Sequence, residues 1–321
     1  VALILDAGLS IDNVHKISGT AGGNLRQKYS NSFHWMLLTT PLAIPMCVIG
    51  VWLSLRQSGD LVPSYVLLSV GLSPLILLVG LNRNILLGLG NITAYNFNTL
   101  LQPLLLLLCI VGLYALDLMT VFSVMLAYVA SFLIVIVHTQ LLIRERPARL
   151  DVAGLKSGLA FGFKGHLGTI VQYVNYRLDV FLLGVFSDIK QVGLYSVSYT
   201  CAEVIWRLPR AIGTILFPAV ASMEKASASQ LTSRVFRVSN LIVLVLCIIA
   251  ALLAGFLIPL VFGDEFSGAV LPFLVLLPGI YFFSWHNTLI EDLKGRGLPQ
   301  LKLNTASLAA LATLVLDLVL I

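Results

Sequence analysis

Lys164, His166, Tyr173, Arg177, Asp179, Glu203, Arg207 and Arg210 stand in two neighbouring segments that are otherwise apolar enough for a membrane. At about 100° per residue, Lys164, Gln172, Asn175 and Asp179 share one arc of a helix, and His166, Tyr173 and Arg177 share a second, roughly opposite. Glu203, Arg207 and Arg210 recur at i, i+4 and i+7, a single stripe along which Glu203 and Arg207 can pair. Arg177 and Asp179 are two positions apart, about 200° around a helix, so they cannot neutralise one another. Four cations (Lys164, Arg177, Arg207, Arg210) outnumber two carboxylates (Asp179, Glu203). Each charge at a bilayer centre costs about 2.5–3.5 kcal/mol, so six together cost roughly 15 kcal/mol or more unless they pair or meet water. Structural ion pairs that lock helices together are one answer, but a closed network of that kind should balance. A surplus of cations suits an anionic ligand, and guanidinium groups suit phosphate in particular. Asp179, Glu203 and His166 are then the charge-pairing or ion-coupling candidates. Lys164, Tyr173, Arg177, Arg207 and Arg210 are the ligand-binding ones.

The segments that position these groups read as membrane helices. Of 321 residues, 58% are hydrophobic and 11% charged, with a mean hydropathy of +0.96; soluble domains carry about a quarter charged residues. Apolar windows of about 20 residues fall at 33–55, 61–81, 95–116, 119–143, 158–186, 193–222, 241–262, 269–290 and 303–321, with 1–9 as the end of an earlier span. Of the 20 Lys and Arg residues, fourteen fall in loops on one side: Lys16, Arg26, Lys28, Arg83, Arg144, Arg146, Arg149, Lys156, Lys225, Arg234, Arg237, Lys294, Arg296 and Lys302. Only Arg56 and Lys190 fall on the other side, so the basic side is expected to be cytoplasmic. The acidic Asp264–Glu265 pair and Asp117 face outward on this reading.

Glycines at 154, 158, 162, 165 and 168 allow close helix packing, with a sliding or hinge surface as the alternative. Prolines at 41, 45, 103, 209, 218, 272 and 278 predict kinks. Cys47, Cys109, Cys201 and Cys247 lie in apolar runs at no metal-ligand or disulfide spacing and read as small core residues. The five histidines show no metal or triad spacing, and His166 alone is a candidate for proton coupling. No Walker A pattern is present, and the glycine pairs at 88/90 and 295/297 lack a βαβ context. The chain is therefore expected to use no cofactor or metal, to hydrolyse no ATP and to bind no nucleic acid. Asn91-Ile-Thr93 matches a glycosylation sequon but sits at a helix end on the basic side.

"YRLDVFLLGVFSDIKQVGLYSVSYTCAEVI", "LFPAVASM", "FGDEFSGAVLPFLVLLPG" and "VALILDAGLSIDNVHKISG" resemble, in order and spacing, helices of the polysaccharide or O-antigen flippase family of the MOP exporter superfamily. The resemblance covers nearly the whole chain. It implies an all-α integral membrane protein with two pseudo-symmetric helical lobes around a central cavity, in the MATE manner. The chain would be a fragment lacking helix one and helix twelve, with an incomplete N-terminal lobe at 1–143, a cytoplasmic linker at 144–157 and an incomplete C-terminal lobe at 158–321. It further implies flipping of an undecaprenyl-diphosphate-linked oligosaccharide across the cytoplasmic (inner) membrane, by alternating access, for lipopolysaccharide O-antigen or other surface glycan export. H+ or Na+ coupling, contact with membrane lipids, and polymerase or glycosyltransferase machinery as partners come with that reading. The alternatives are a cation-coupled multidrug exporter, which favours an acidic and aromatic pocket, and a lipid II flippase. An enzyme of glycan polymerisation is not expected, because the outward loops are too short to carry acid–base residues.

Overall fold

A computed structural model of the chain describes residues 2–19, 25–58 and 63–320; within these, the side chains of 43, 46, 47, 49–58, 63–71, 177 and 318–320 lie outside the description. The described residues form helices and connecting turns with no strand among them. In chain order the helices are α1 (Ala2–Leu5), α2 (Leu9–Gly19), α3 (Leu25–Ser58), α4 (Pro63–Gly88), α5 (Ile92–Ala115), α6 (Val121–Ile143), α7 (Val152–Phe186), α8 (Ile189–Ala221), α9 (Lys225–Phe262), α10 (Val270–Gly295) and α11 (Gln300–Leu320), with a 3-10 turn at Asp264–Ala269. Among the described residues, α5, α6, α8, α9 and the stretch Asp264–Gly295 that ends in α10 are long and apolar enough to cross a membrane. Their outer faces are bare hydrocarbon: Leu100 on α5, Leu141 on α6, and Leu252 and Leu260 on α9 are all exposed. Water does not tolerate such stripes, whereas lipid does.

Local chemistry explains the boundaries. Asn91 caps α5 by accepting from the Ala94 amide at 3.1 Å, so the sequon asparagine serves the backbone. Thr120 and Ser123 form a reciprocal capping box at the start of α6, and Arg144 ends that helix at φ +58°. Asp188 caps α8 through the Gln191 amide at 2.8 Å. α7 begins at Val152, six residues before the expected span, because Asp151 accepts from the Gly154 amide at 2.9 Å and starts the helix inside the basic linker. The helices run on through Pro41, Pro45, Pro103, Pro209, Pro218 and Pro278.

The chain divides into two compact units, residues 1–166 and 167–321, with the division inside α7. In the first unit, Leu5, Leu9, Leu77, Leu81 and Leu155 form one core cluster, and Ile17, Tyr29, Ile85, Leu86 and Ile143 form another. The first half of α7 is held here by the absence of side chains. A Cβ on Gly162 would lie 2.0 Å from the Gly8 carbonyl oxygen, and one on Gly158 would lie 2.5 Å from Asp12 Oδ2. The segment before α7 is strapped to α3: the Ser30 hydroxyl donates to the Ala148 carbonyl at 2.8 Å and accepts from the Ala148 amide at 3.0 Å, and the Asp151 amide donates to Asn31 at 3.0 Å. In the second unit, α8, α9 and α10 pack around Ala202, Trp206, Val243, Phe273, Leu277 and Ile280. Gly168 brings α7 against the backbone of Lys302 and Leu303 at the start of α11. The glycine series therefore serves close packing in both units. Cys247 is buried, Cys109 and Cys201 are half-buried, all three are free, and Cys47 lies outside the described side chains.

Candidate functional site

The second unit encloses a cavity of about 190 Å³ whose walls come from α7, α8, α10 and α11. Its lining is polar at Asn175 and Asp179, one helical turn apart, and aromatic at Tyr176, Tyr199, Trp206 and Phe283. Tyr176, Tyr199 and Phe283 all surround the Trp206 ring, with ring centroids 5.0, 5.2 and 5.5 Å from it, so the wall is held by edge and tilted ring packing. Tyr195 donates its hydroxyl to Asp179 Oδ2 at 2.8 Å. Asp179 Oδ1, Asn175 Oδ1 and the Trp206 indole nitrogen are shielded from solvent and have no protein hydrogen-bond partner. Asp317 on α11 comes within hydrogen-bonding reach of Asp179 and leaves its own Oδ2 without a partner. Two carboxylates that face each other in an apolar bundle need a proton or a cation between them.

Asp317 is the residue that sequence reasoning missed. A lone carboxylate inside "LVLDLVLI" was the available signal, since ionisable groups in membrane helices are rarely idle. The other anticipated residues whose side chains are described do not line this cavity. The Arg177 side chain lies outside the description, so which of Arg177 and Asp179 faces a cavity is defined only for Asp179. Tyr173 and Lys164 are exposed on α7. His166 sits on the same helical arc as Tyr173 but is buried in the first unit, its Nδ1 3.5 Å from Asp6 Oδ2. Sequence geometry could not foresee that partner, 160 residues upstream. Glu203 is half-buried and pairs with Arg207 at 3.3 Å, as their spacing allowed, while the Arg207 side chain remains 69% exposed. Arg210 is exposed.

A second constellation occupies the end of this unit that carries the α8–α9 and α10–α11 turns. Asn287, Glu291 and Lys294 stand at i, i+4 and i+7 on α10, facing Gly213 and Phe217 of α8. Lys294 Nζ lies 2.5 Å from Glu291 Oε2 and 4.7 Å from the Phe217 ring centroid. Lys302, 8% exposed, donates to the Thr169 hydroxyl at 3.0 Å. It lies just before the span expected at 303–321. Burial, reinforced by Lys294 and Arg210 and opposed by Glu291, pushes its ammonium down to about 8. Asp292 is engaged elsewhere, bonded to Arg296 at 2.7 Å and to Thr232 at 2.6 Å.

In the first unit, Asp12 is fully buried and paired with Lys28 and with Lys16, the latter at 2.9 Å. Asn13 donates to Ser32 at 2.8 Å beside them. Burial lowers the Lys28 ammonium, and its contact with Asp12 opposes that. This buried set, two lysines on one carboxylate, locks α2 to α3.

The fold has known counterparts. A crystal structure of a MATE protein in the straight conformation superposes with a TM-score of 0.73 at 16% identity, covering 98% of this chain and 75% of the other. The MATE transporter ClbM in complex with Rb+ gives a TM-score of 0.68 at 14% identity, covering 98% of this chain and 83% of the other. A MOP superfamily transporter from Pyrococcus furiosus, described as having a binding pocket of reversed polarity, gives 0.61 at 13% identity, covering 98% and 85%. No curated protein matches this chain in sequence. The all-α architecture is therefore that of the MATE fold, as the resemblance implied. The profile of a polysaccharide biosynthesis protein family matches residues 93–271, more than half of the chain. On that match, the chain belongs to this polysaccharide biosynthesis protein family.

Proposed function

We propose that the chain translocates a lipid-linked oligosaccharide with a diphosphate linkage across the cytoplasmic membrane by alternating access, with its basic loops on the cytoplasmic side. The observation that carries this reading is the polysaccharide-biosynthesis family match on a helical fold shared with transporters. The cationic surplus of α7 and α8 agrees with it, since Arg207 and Arg210 are exposed on α8 and Lys164 on α7, available to a phosphoryl group rather than closed into a dry, balanced network. The units at 1–166 and 167–321 are then the moving lobes. Undecaprenyl-type carriers, O-antigen or related surface glycans, and neighbouring polymerase or transferase machinery belong to the same reading.

One observation favours the multidrug-exporter reading: the acidic and aromatic cavity around Asp179. Its size speaks for a smaller occupant than a drug. Pockets for drug-sized ligands run about 300–1,000 Å³, whereas this cavity holds about 190 Å³. A single hydrated cation or a proton with a few waters fits that space. We assign Asp179, with Asp317 and Asn175, to ion coupling. Glycan cargo is too large for it.

The test is reconstitution in liposomes with a polyprenyl-diphosphate oligosaccharide that carries a fluorophore on the glycan, followed by quenching with an impermeant reductant. Protein-dependent movement of the glycan to the far leaflet, accelerated by a Na+ or H+ gradient, is expected. Asp179→Asn should keep the protein folded and remove the gradient response. Uptake of a cationic dye without any glycan movement overturns the proposal in favour of the exporter.

A further inference from the structure

We propose that the Lys302 end of the second unit is a binding site for a phosphoryl anion, formed by Lys302, Arg210 and Asn287 with Lys294 beside them. This rests on the transport reading above and adds to it the place where the diphosphate is first held, on the cytoplasmic side of the proposed topology.

Lys294 and Lys302 differ in how they are satisfied. Lys294 has a carboxylate at 2.5 Å, an aromatic face at 4.7 Å, and a position in the last turn of α10, where the helix dipole favours a cation. Lys302 has none of these. Its hydrogen-bond partner among the described residues is a neutral hydroxyl, Thr169 at 3.0 Å, and it stands in the first turn of α11, where the dipole opposes a cation. The amides of Leu301 and Lys302 are already bonded to the carbonyls of Leu298 and Pro299, so side chains must do any binding here. A buried ammonium without a counter-charge is costly. Arg210, on α8, adds a second cation that makes no salt bridge among the described residues.

A separate observation points the same way. Asn287 is 8% exposed, and its amide nitrogen is a buried donor with no acceptor. It lies against Gly213, where a Cβ would come within 3.4 Å of that nitrogen and 2.9 Å of Glu291. Lys302 is within electrostatic reach of Arg210, Lys294 and Glu291, the idle Asn287 donor lies one turn from Glu291 on the face of α10 that meets Gly213, and the carboxylates that might have closed the network are committed: Glu291 to Lys294, Asp292 to Arg296 and Thr232. The chemistry that completes such a set is an oxyanion with several acceptors, a phosphate or diphosphate. The lowered Lys302 ammonium agrees, since an arriving anion would hold the proton on it. The charged and titratable groups around it are Arg210 from α8 and His286, Glu291 and Lys294 from α10.

Two sources share this chemistry, the diphosphate of the cargo and an anionic phospholipid headgroup. The experiment is calorimetric titration of the purified full chain in neutral detergent with sodium pyrophosphate, for wild type, Lys302→Met and Asn287→Leu, each with a melting curve. Wild type should bind, and each variant that melts at or above wild type should bind about tenfold more weakly or worse. Binding should also weaken as pH rises above about 8 in wild type, but not in Lys302→Met. Absence of pyrophosphate binding in wild type, or unchanged affinity in folded Lys302→Met, overturns the proposal. Competition in nanodiscs identifies the source: displacement by geranylgeranyl diphosphate marks the cargo, displacement by phosphatidylglycerol the bilayer. Unchanged pyrophosphate binding in Lys302→Met, in a protein that flips the glycan, sinks this site alone. Lys302-dependent binding in a protein that moves no glycan sinks the transport reading alone.

Discussion

Gly162→Ala tests whether the first half of α7 is seated in the first unit by backbone contact. The added Cβ would lie 2.0 Å from the Gly8 carbonyl oxygen and 2.6 Å from its carbon, and side-chain Cβ atoms do not approach closer than 3.0 Å. α7 must therefore withdraw by at least about 1 Å, because the obstructing atoms are backbone and no rotamer change relieves them. Gly8 cannot adapt, since it holds φ +89°. Overpacking of this kind costs about 1–3 kcal/mol, and two rigid backbones put this site at the upper end or beyond. Alanine returns about 1 kcal/mol in helix propensity, leaving a net loss of about 2 kcal/mol. For a unit of this size, at roughly 2–4 °C per kcal/mol, the melting temperature should fall by about 4–8 °C. Gly80→Ala on α4 is the control: nothing lies within 4 Å of its Cβ, so it should melt slightly above wild type. Melting curves in detergent, read by size-exclusion fluorescence, give the answer. If Gly162→Ala melts at or above wild type, like Gly80→Ala, the close approach of α7 to Gly8 is not real.

Asp12→Ala should destabilise by about 3–5 kcal/mol, because it leaves the buried Lys28 ammonium without its carboxylate; a loss below about 1 kcal/mol on the same melting assay contradicts that burial. Arg207→Ala should change stability by less than about 1 kcal/mol, since its pair with Glu203 is mostly exposed, while slowing glycan translocation in liposomes; normal flux would remove Arg207 from the transport path. Lys302→Met should raise stability at pH 7. The folded Lys302 holds its proton less tightly than the unfolded chain, about 8 against 10.5, so between those values the unfolded state binds more protons and wild-type stability should rise with pH. That rise should be missing in Lys302→Met, and its persistence there would assign it to another group.

The helices were legible because lipid imposes a one-dimensional rule: a span needs about twenty apolar residues, and its flanking charges obey the sidedness of the membrane. The stretches at α5, α6, α8, α9 and α10 overlap expected spans for that reason, although α9 starts at Lys225, sixteen residues before its expected span. α7 started early because its boundary is set by the Asp151 cap, a local hydrogen bond that an apolar window does not register. Pairs within one helix were also legible, as Glu203 and Arg207 show. Partners from distant segments were not. Asp317 meets Asp179 across 138 positions and Lys302 meets Thr169 across 133, and no periodicity along one helix predicts which face a later helix will cover.

That limit bears on how the charges should be interpreted. Counting Lys164, Arg177, Arg207 and Arg210 against Asp179 and Glu203 treats α7 and α8 as one electrostatic compartment. The fold separates them. Asp179 belongs to an aromatic cavity completed by α11, where an orphaned indole and a carboxylate within reach of Asp317 suit a small ion. Arg210 reaches both Tyr176 on the wall of that cavity and Lys302, where Glu291 is paired with Lys294 and an idle amide waits for an acceptor. Acidic and basic chemistries at different places in one unit are compatible with the proposed coupling of a cation to a diphosphate cargo. The surplus of positive charge that bears on the proposed anion site is therefore the one at the Lys302 end, and Lys302→Met is the substitution that removes one of its charges while leaving the Asp179 cavity intact.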